Sequence, residues 1–249
     1  GTRSHAAMDA AAGRGLDVII VDHHLPGAEL PRAFALVNPM QSADTSGLTM
    51  LCAAGVGFLL VVAVNRALRA CGHYGGRAEP DMRECLDLVA LGTVCDVMPL
   101  RGLSRTFVAQ GLKVLRGTKN AGLAALAQIA RASANPAAYD LGFIFGPRIN
   151  AGSRMGHSDL GAQLLMTNDP QEARRIAITL DKLNRERREI EAGVEGEAIL
   201  QAEAARGAVL MLAAQGWHQG VVGIVAGRMR ERFNRPCVVL GIEDALAKG

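Results

Sequence analysis

The sequence predicts an α/β fold, and three observations carry that reading. Short apolar runs rich in β-branched residues, such as Val18-Ile19-Ile20-Val21, alternate with helix-patterned segments over residues 1–166, as expected of a parallel sheet with covering helices. One helical pattern runs unbroken over 169–206. A shorter alternation follows, with a strand at 208–212, a helix at about 220–233 and a strand at 236–242. The predicted organisation is therefore a parallel-sheet domain at 1–166, a long connector helix at 167–206 and a smaller α/β domain at 207–249. No internal repeat or low-complexity tract interrupts it.

The run Val18–Val21 suits a strand covered on both faces. Asp22, His23 and His24 follow it directly, at the carboxyl edge where open α/β sheets keep their chemistry. An acid and two imidazoles there are either surface loop residues or part of a metal or phosphate site. Residues 48–64 carry no charge but fall short of the ~20 residues a spanning helix needs, and they include two glycines. They are assigned to a soluble core, with no membrane association.

Residues 82–91 have helical patterning that Gly92 is expected to end. Asp96 is the only charge in the decapeptide Leu91–Leu100. A carboxylate in such surroundings must be paired, hydrogen-bonded or metal-bound, so Asp96 either caps amides in a turn or ligates a cation. Aspartate with histidine makes a mixed oxygen–nitrogen ligand set suited to Mn²⁺, with Mg²⁺ or Zn²⁺ next.

The segment Gly146–Gly156 reads as a glycine-rich loop in which Arg148, Asn150 and Arg154 could fork onto phosphate oxygens; the alternative is a solvated loop with ordinary arginines. The long helix opens with Asp169 as cap, Pro170 at its first position and Glu172 three residues after the cap. Ile176, Leu180, Leu183, Ile190 and Val194 form its apolar stripe. About 38 residues would span roughly 55 Å, enough to join two domains. Its many charges read mostly as a solvated face of i,i+4 pairs, the lesser alternative being a basic surface at 174–188 that guides a polynucleotide. At Gly216–Ile224 a strand–turn–helix junction presents Trp217, His218 and a helix amino terminus. That terminus suits phosphate, and Trp217 either stacks a base or packs a domain.

Composition sets the outer limits. Of 249 residues 49% are apolar and 20% charged, which describes a globular chain and not a disordered one. A net charge of +3 does not by itself argue for nucleic acid. Five cysteines without a C-x-x-C pair point to a reducing, cytoplasmic setting. The polar, alanine-rich first residues do not resemble a signal peptide.

In order and spacing these segments resemble the RecJ-type single-strand-specific exonucleases of the DHH phosphoesterase superfamily. The resemblance rests on Val-Asp-His-His at 21–24, Leu-Val-Asn-Pro at 36–39, Leu-Cys-Ala-Ala-Gly-Val at 51–56 and Asp-Leu-Val-Ala-Leu-Gly-Thr-Val-Cys-Asp-Val at 87–97. Gly-Pro-Arg-Ile-Asn-Ala-Gly-Ser-Arg at 146–154, Leu-Asn-Arg-Glu-Arg-Arg at 183–188 and Gly-Trp-His-Gln-Gly-Val-Val-Gly-Ile-Val-Ala at 216–226 continue it along nearly the whole chain.

The resemblance implies a DHH domain, a connector helix and a DHHA1 substrate-binding domain. It implies 5′-to-3′ hydrolysis of single-stranded DNA to nucleoside 5′-monophosphates with two Mn²⁺ or Mg²⁺ ions, in repair and recombination. His23 and Asp96 would bind metal, and His24 would contact the scissile phosphate with Asp22 supporting it. Arg148, Asn150, Arg154 and His218 would bind substrate in a cleft between the domains. The further expectations are a monomer working with a single-strand-binding protein and a helicase.

The family's upstream Asp-x-Asp pair and second aspartate motif, and its downstream Gly-Ser-Gly-Arg-Ser segment, do not occur in this sequence, and Ser153 replaces a usual glycine. The chain is accordingly expected to be an internal segment that binds metal poorly and cuts slowly or not at all. The alternatives are a DHH phosphoesterase acting on short oligonucleotides, cyclic dinucleotides or pyrophosphate, and a catalytically inactive replication scaffold.

Overall fold

The computed structural model describes residues 1–249 and is a mixed α/β protein. In chain order its elements are α1 (His5–Ala12), β1 (Ile19–Val21), β2 (Ala35–Val37), α2 (Ala53–Ala70), a 3-10 turn (Met82–Cys85), α3 (Leu86–Cys95), α4 (Gly102–Leu115), α5 (Ala121–Ala130), α6 (Ala138–Asp140), a π-helical turn (Leu141–Phe145), α7 (Gly146–Arg154), α8 (Leu160–Met166), α9 (Pro170–Ala204), β3 (Leu210–Gln215), α10 (Gln219–Phe233), β4 (Cys237–Glu243) and β5 (Leu246–Lys248). These form two compact units, Gly1–Lys119 with Ser133–Phe143, and Asn120–Ala132 with Ile144–Gly249.

In the first unit β1 and β2 pair in parallel, Ile19 opposite Ala35 and Val21 opposite Val37. One further bond, from the Asp22 amide to the Val37 carbonyl at 3.1 Å, carries the ladder just past the strand end. The expectation of a strand covered on both faces needs correcting at Ile19. Ile20 is buried on one face, whereas on the other Ile19 at the strand's start is 55% exposed and Val21, with Val37 of β2, packs against a core. That core joins Leu51, Val56, Leu86, Val89 and Phe107, with Phe58 packed against it. The Phe58 ring stands edge-on to Phe107 at 5.2 Å, a favoured aromatic geometry.

Two further expectations change. The uncharged run 48–64 enters α2, but of that helix only Gly55, Val56 and Asn65 are buried. Val61, Val62 and Val64 face outward. Its apolar composition matches burial, yet a helix lying on one unit presents only one stripe to it. It is the one helix long and apolar enough to cross a membrane by length and composition. Its far end is tied by polar bonds: buried Asn65 donates to Glu79 at 2.7 Å, and the Tyr74 hydroxyl donates to Asn65 at 2.5 Å. Second, α3 runs through Gly92 to Cys95. A Cβ at Gly92 would lie 2.9 Å from that of Ala54, so the glycine serves the close approach of α2 and α3 instead of stopping a helix.

The second unit is organised along α9. Asp169 caps it by accepting from the Gln171 amide at 2.9 Å, ahead of Pro170. Glu172 does not close a capping box; it pairs with Arg175 at 2.8 Å. α9 packs within this unit against α5, α7 and α8, and further on against β3 and α10. β3 and β4 are parallel, Leu210 opposite Cys237, and an unanticipated β5 adds an antiparallel edge. Leu210, Leu212, Trp217, Val221, Val225, Met229 and Val239 fill the core against Val194, Ala198 and Ala202.

The reading of the α9 charges as mostly a solvated face holds for Arg174, Arg175, Lys182, Arg185 and Arg188, but not for Arg187 and Glu191. The buried positions continue from Leu180 through Asn184, Arg187 and Glu191 to Val194. Arg187 and Glu191 form an ion pair there, and Arg228 of α10 reaches both Glu191 and Glu195. The three- and four-residue spacing places these polar side chains on the inward stripe.

Candidate functional site

The first cluster lies at the end of β1. Asp22 is 7% exposed and its carboxylate is fully engaged. One oxygen accepts from the Thr2 amide at 2.7 Å and the Thr2 hydroxyl at 2.5 Å. The other accepts from the amides of His23 and His24, at 2.8 and 3.2 Å, and lies 2.7 Å from His24 Nδ1. Burial alone would raise the Asp22 pKa, but the bonds from Thr2 and His24 outweigh it and hold the carboxyl far below the usual range. An ionised Asp22 fixes the His24 tautomer with the proton on Nδ1, leaving Nε2 as the free lone pair. The His24 side chain is 72% exposed, so that nitrogen faces solvent.

The adjacent imidazole turns the other way. His23 is 11% exposed, and its Nε2 lies 3.2 Å from Asp96 Oδ2. The two histidine rings are 4.3 Å apart and tilted by 52°. Asp96 is the C-cap of α3, its amide bonded to Gly92. Its carboxylate reaches His23 and no backbone amide, which decides against the turn-capping alternative. Val97 follows at φ +54°, a left-handed conformation unusual for a β-branched residue. Asn38, 2% exposed, locks the strand-end loop by donating to the His24 carbonyl at 2.9 Å and accepting from the Met40 amide at 2.8 Å.

His23 and Asp96 fit as two ligands of one hard or borderline divalent cation, since an imidazole nitrogen and a carboxylate oxygen converge on one point. They supply no more than two: no group of three or more His, Cys, Asp or Glu side chains stands ready to hold an ion. A six-coordinate ion here would need oxygens from water, phosphate or other residues.

The second cluster belongs to the other unit, and it corrects the reading of a glycine-rich loop. Residues Gly146–Arg154 are helix α7, with Pro147 in its first turn, where proline is tolerated. Arg148 is 15% exposed, bonded to Asp181 at 2.9 Å and to the Ile144 carbonyl at 2.8 Å, so it is anchored to α9. Asn150 is exposed on α7. Arg154 donates to the Gly220 carbonyl at 3.0 Å.

His218 is the N-cap of α10, its Nδ1 accepting from the Gly220 amide at 3.0 Å; as acceptor, Nδ1 is unprotonated and Nε2 carries the hydrogen. Arg154, Trp217, His218, Gln215 and Glu243 line an open pocket of about 690 Å³. Gly220 is required there because a Cβ would collide with the Arg154 carbonyl. Trp217 is 5% exposed and donates to Glu197 at 2.7 Å, so it packs the domain and offers no face for a base.

Several positioning residues escaped the sequence reading. Thr2 gave no signal. Asn38 stood visible as the polar residue closing an apolar strand.

A strand-end Asp-His-His thus meets a helix-end aspartate on a parallel α/β unit. Residues 1–93 match the N-terminal domain of the DHH family. Along its whole length the chain is similar to RecJ. It is 44% identical over 260 residues to the single-stranded-DNA-specific exonuclease RecJ of Dickeya dadantii, covering 100% of this chain and 45% of that relative. The chain thus spans just under half the length of the curated relative.

Among solved structures, RecJ of Thermus thermophilus in complex with Mn²⁺ matches with a TM-score of 0.84 at 33% identity, covering 97% of this chain and 35% of that one. The same protein in complex with Mg²⁺ matches with a TM-score of 0.74 at 32% identity, over 91% and 33%.

Proposed function

We propose that the chain carries part of the active site of a metal-dependent exonuclease that hydrolyses phosphodiester bonds of single-stranded DNA from the 5′ end. Nucleoside 5′-monophosphates are the products, and DNA repair and recombination in the cytoplasm the setting. The observation that carries this reading is the meeting of His23 Nε2 with Asp96 Oδ2 at 3.2 Å, beside an Asp22–His24 pair that leaves His24 Nε2 facing outward. The names of the relatives and the metals in the solved structures support it.

The geometry supports the roles that the resemblance implies. His23 and Asp96 would hold a Mn²⁺ or Mg²⁺ ion, and Asp22 would keep His24 oriented to meet the scissile phosphate. When bound, the metal pair supplies charge stabilisation for in-line displacement at phosphorus. Arg154 and His218 face the pocket at the start of α10, where amides and a guanidinium suit a phosphate. Arg148 and Asn150 stand on the same helix as Arg154, with Arg148 held by Asp181 and suited to orient more than to bind.

The functional division at 1–166, 167–206 and 207–249 is retained as a DHH part, a connector helix and a DHHA1 part. A monomer acting with a single-strand-binding protein and a helicase completes the reading. Two protein ligands alone make Mn²⁺ binding by this chain weak and its turnover slow.

A Mn²⁺ titration followed by electron paramagnetic resonance tests the assignment. His23→Ala and Asp96→Asn are each expected to abolish the bound signal, while His24→Ala keeps it. Loss of the signal in His24→Ala with retention in His23→Ala would reverse the roles.

A further inference from the structure

Tyr139 and Phe143 are 65% and 62% exposed, and their rings lie stacked on each other, centroids 4.7 Å apart and planes within 22°. Aromatic side chains ordinarily bury 150–250 Å² each, and nothing in this chain covers these two. They stand on α6 and on the π-helical turn at Leu141–Phe145. Such turns are rare and concentrate at functional sites.

This segment is fastened to the end of α3. The Cys95 thiol donates to the Leu141 carbonyl at 3.5 Å, and a Cβ at Gly142 would sit 3.4 Å from Val94 Cγ1. Asp96 is the next residue along from Cys95. Val97 beyond it is 87% exposed in its left-handed conformation; strain of that kind is retained where surrounding structure enforces it, often at functional sites. The end of α3 therefore carries a metal-ligating carboxylate, an outward-facing valine and an anchored pair of stacked rings, all within the first unit.

From this juxtaposition we infer that the Tyr139–Phe143 stack is a platform for one nucleobase of the strand whose phosphate lies at His23 and Asp96. The inference rests on the single-stranded-DNA reading and deepens it. Every base has a π-face, so a stacking platform holds a strand without selecting its sequence. A duplex hides those faces, so the platform also favours unpaired over paired substrate. Tyr139 and Phe143 are positioning residues: they set where the strand lies and do not touch the reacting atoms.

The test compares two phosphorothioate strands, one bearing bases and the other abasic throughout, binding to the Mn²⁺-loaded chain by fluorescence anisotropy. A 2-aminopurine in the first strand reports stacking. Tyr139→Ala and Phe143→Ala, both at exposed positions that leave folding intact, are expected to weaken the base-bearing strand about tenfold, the scale of one lost stack. They should relieve the 2-aminopurine quenching and leave abasic binding unchanged, and Tyr139→Phe should restore both.

Equal loss on both strands, or no loss on either, overturns the platform. Failure of the unaltered chain to bind either strand overturns the polynucleotide reading and the platform with it.

Discussion

Both oxygens of Asp22 are occupied, and this has consequences that can be measured. Its carboxyl is held far below the ordinary range, because the bonds from Thr2 and His24 outweigh burial. A carboxylate depressed in the folded state adds stability that is complete above its unfolded value near 3.8 and is lost as pH falls below it. Thr2→Val removes the hydroxyl donor. It is expected to cost about 1–3 kcal/mol at neutral pH, with the gap to the unaltered chain closing below about pH 4; urea midpoints across pH check this.

Asn38→Ala leaves the Met40 amide and the His24 carbonyl unpaired, and is expected to cost about 1–3 kcal/mol by the same argument. Thermal melts read that loss. The acid and both histidines were legible from their place after an apolar run. Thr2 was not, since a partner twenty residues away in sequence leaves no local pattern.

At the scale of elements, α9 shows what spacing reveals and what residue type conceals. Its extent, its Asp169 cap and its inward stripe were readable from the period of the apolar residues. Asn184, Arg187 and Glu191 occupy that stripe too, but charged residues ordinarily signify a wet face, and only the partner helix bearing Arg228 shows why they are buried. Burial together with Arg188, Arg154 and Arg228 pulls the Arg187 pKa down, with Glu191 opposing.

Glu191→Ala strands Arg187 and is expected to cost about 3–5 kcal/mol. The double change Arg187→Met with Glu191→Leu should cost clearly less, and chemical denaturation separates the two. At the end of α3, Val97→Asn suits the left-handed backbone better and is expected to raise stability by roughly 1 kcal/mol, seen as a higher melting temperature. α7 was misread as a loop because three glycines suggested an irregular backbone. Here proline in the first turn and packing on α9 override that preference.

At the scale of the molecule, alternating strand and helix patterns were enough to define an α/β chain, and the order of its motifs pointed to the DHH family whose N-terminal domain residues 1–93 match. The arrangement of secondary structure into units was less legible. Sequence patterns report local periodicity, whereas α9 belongs to the second unit through tertiary contacts with helices on both sides of it in the chain. The exposed outer face of α2 was likewise invisible, because an apolar run does not say how many of its sides find neighbours.

We propose that the cluster at β1 and α3 serves hydrolysis of single-stranded DNA. The most direct measurement is release of mononucleotides from end-labelled single strands and duplexes with Mn²⁺, by the unaltered chain and by His24→Ala. Slow release from the 5′ end of single strands, little from duplex, and none from either with His24→Ala are the expected results. Equal attack on duplex, or release that survives His24→Ala, would contradict the proposal.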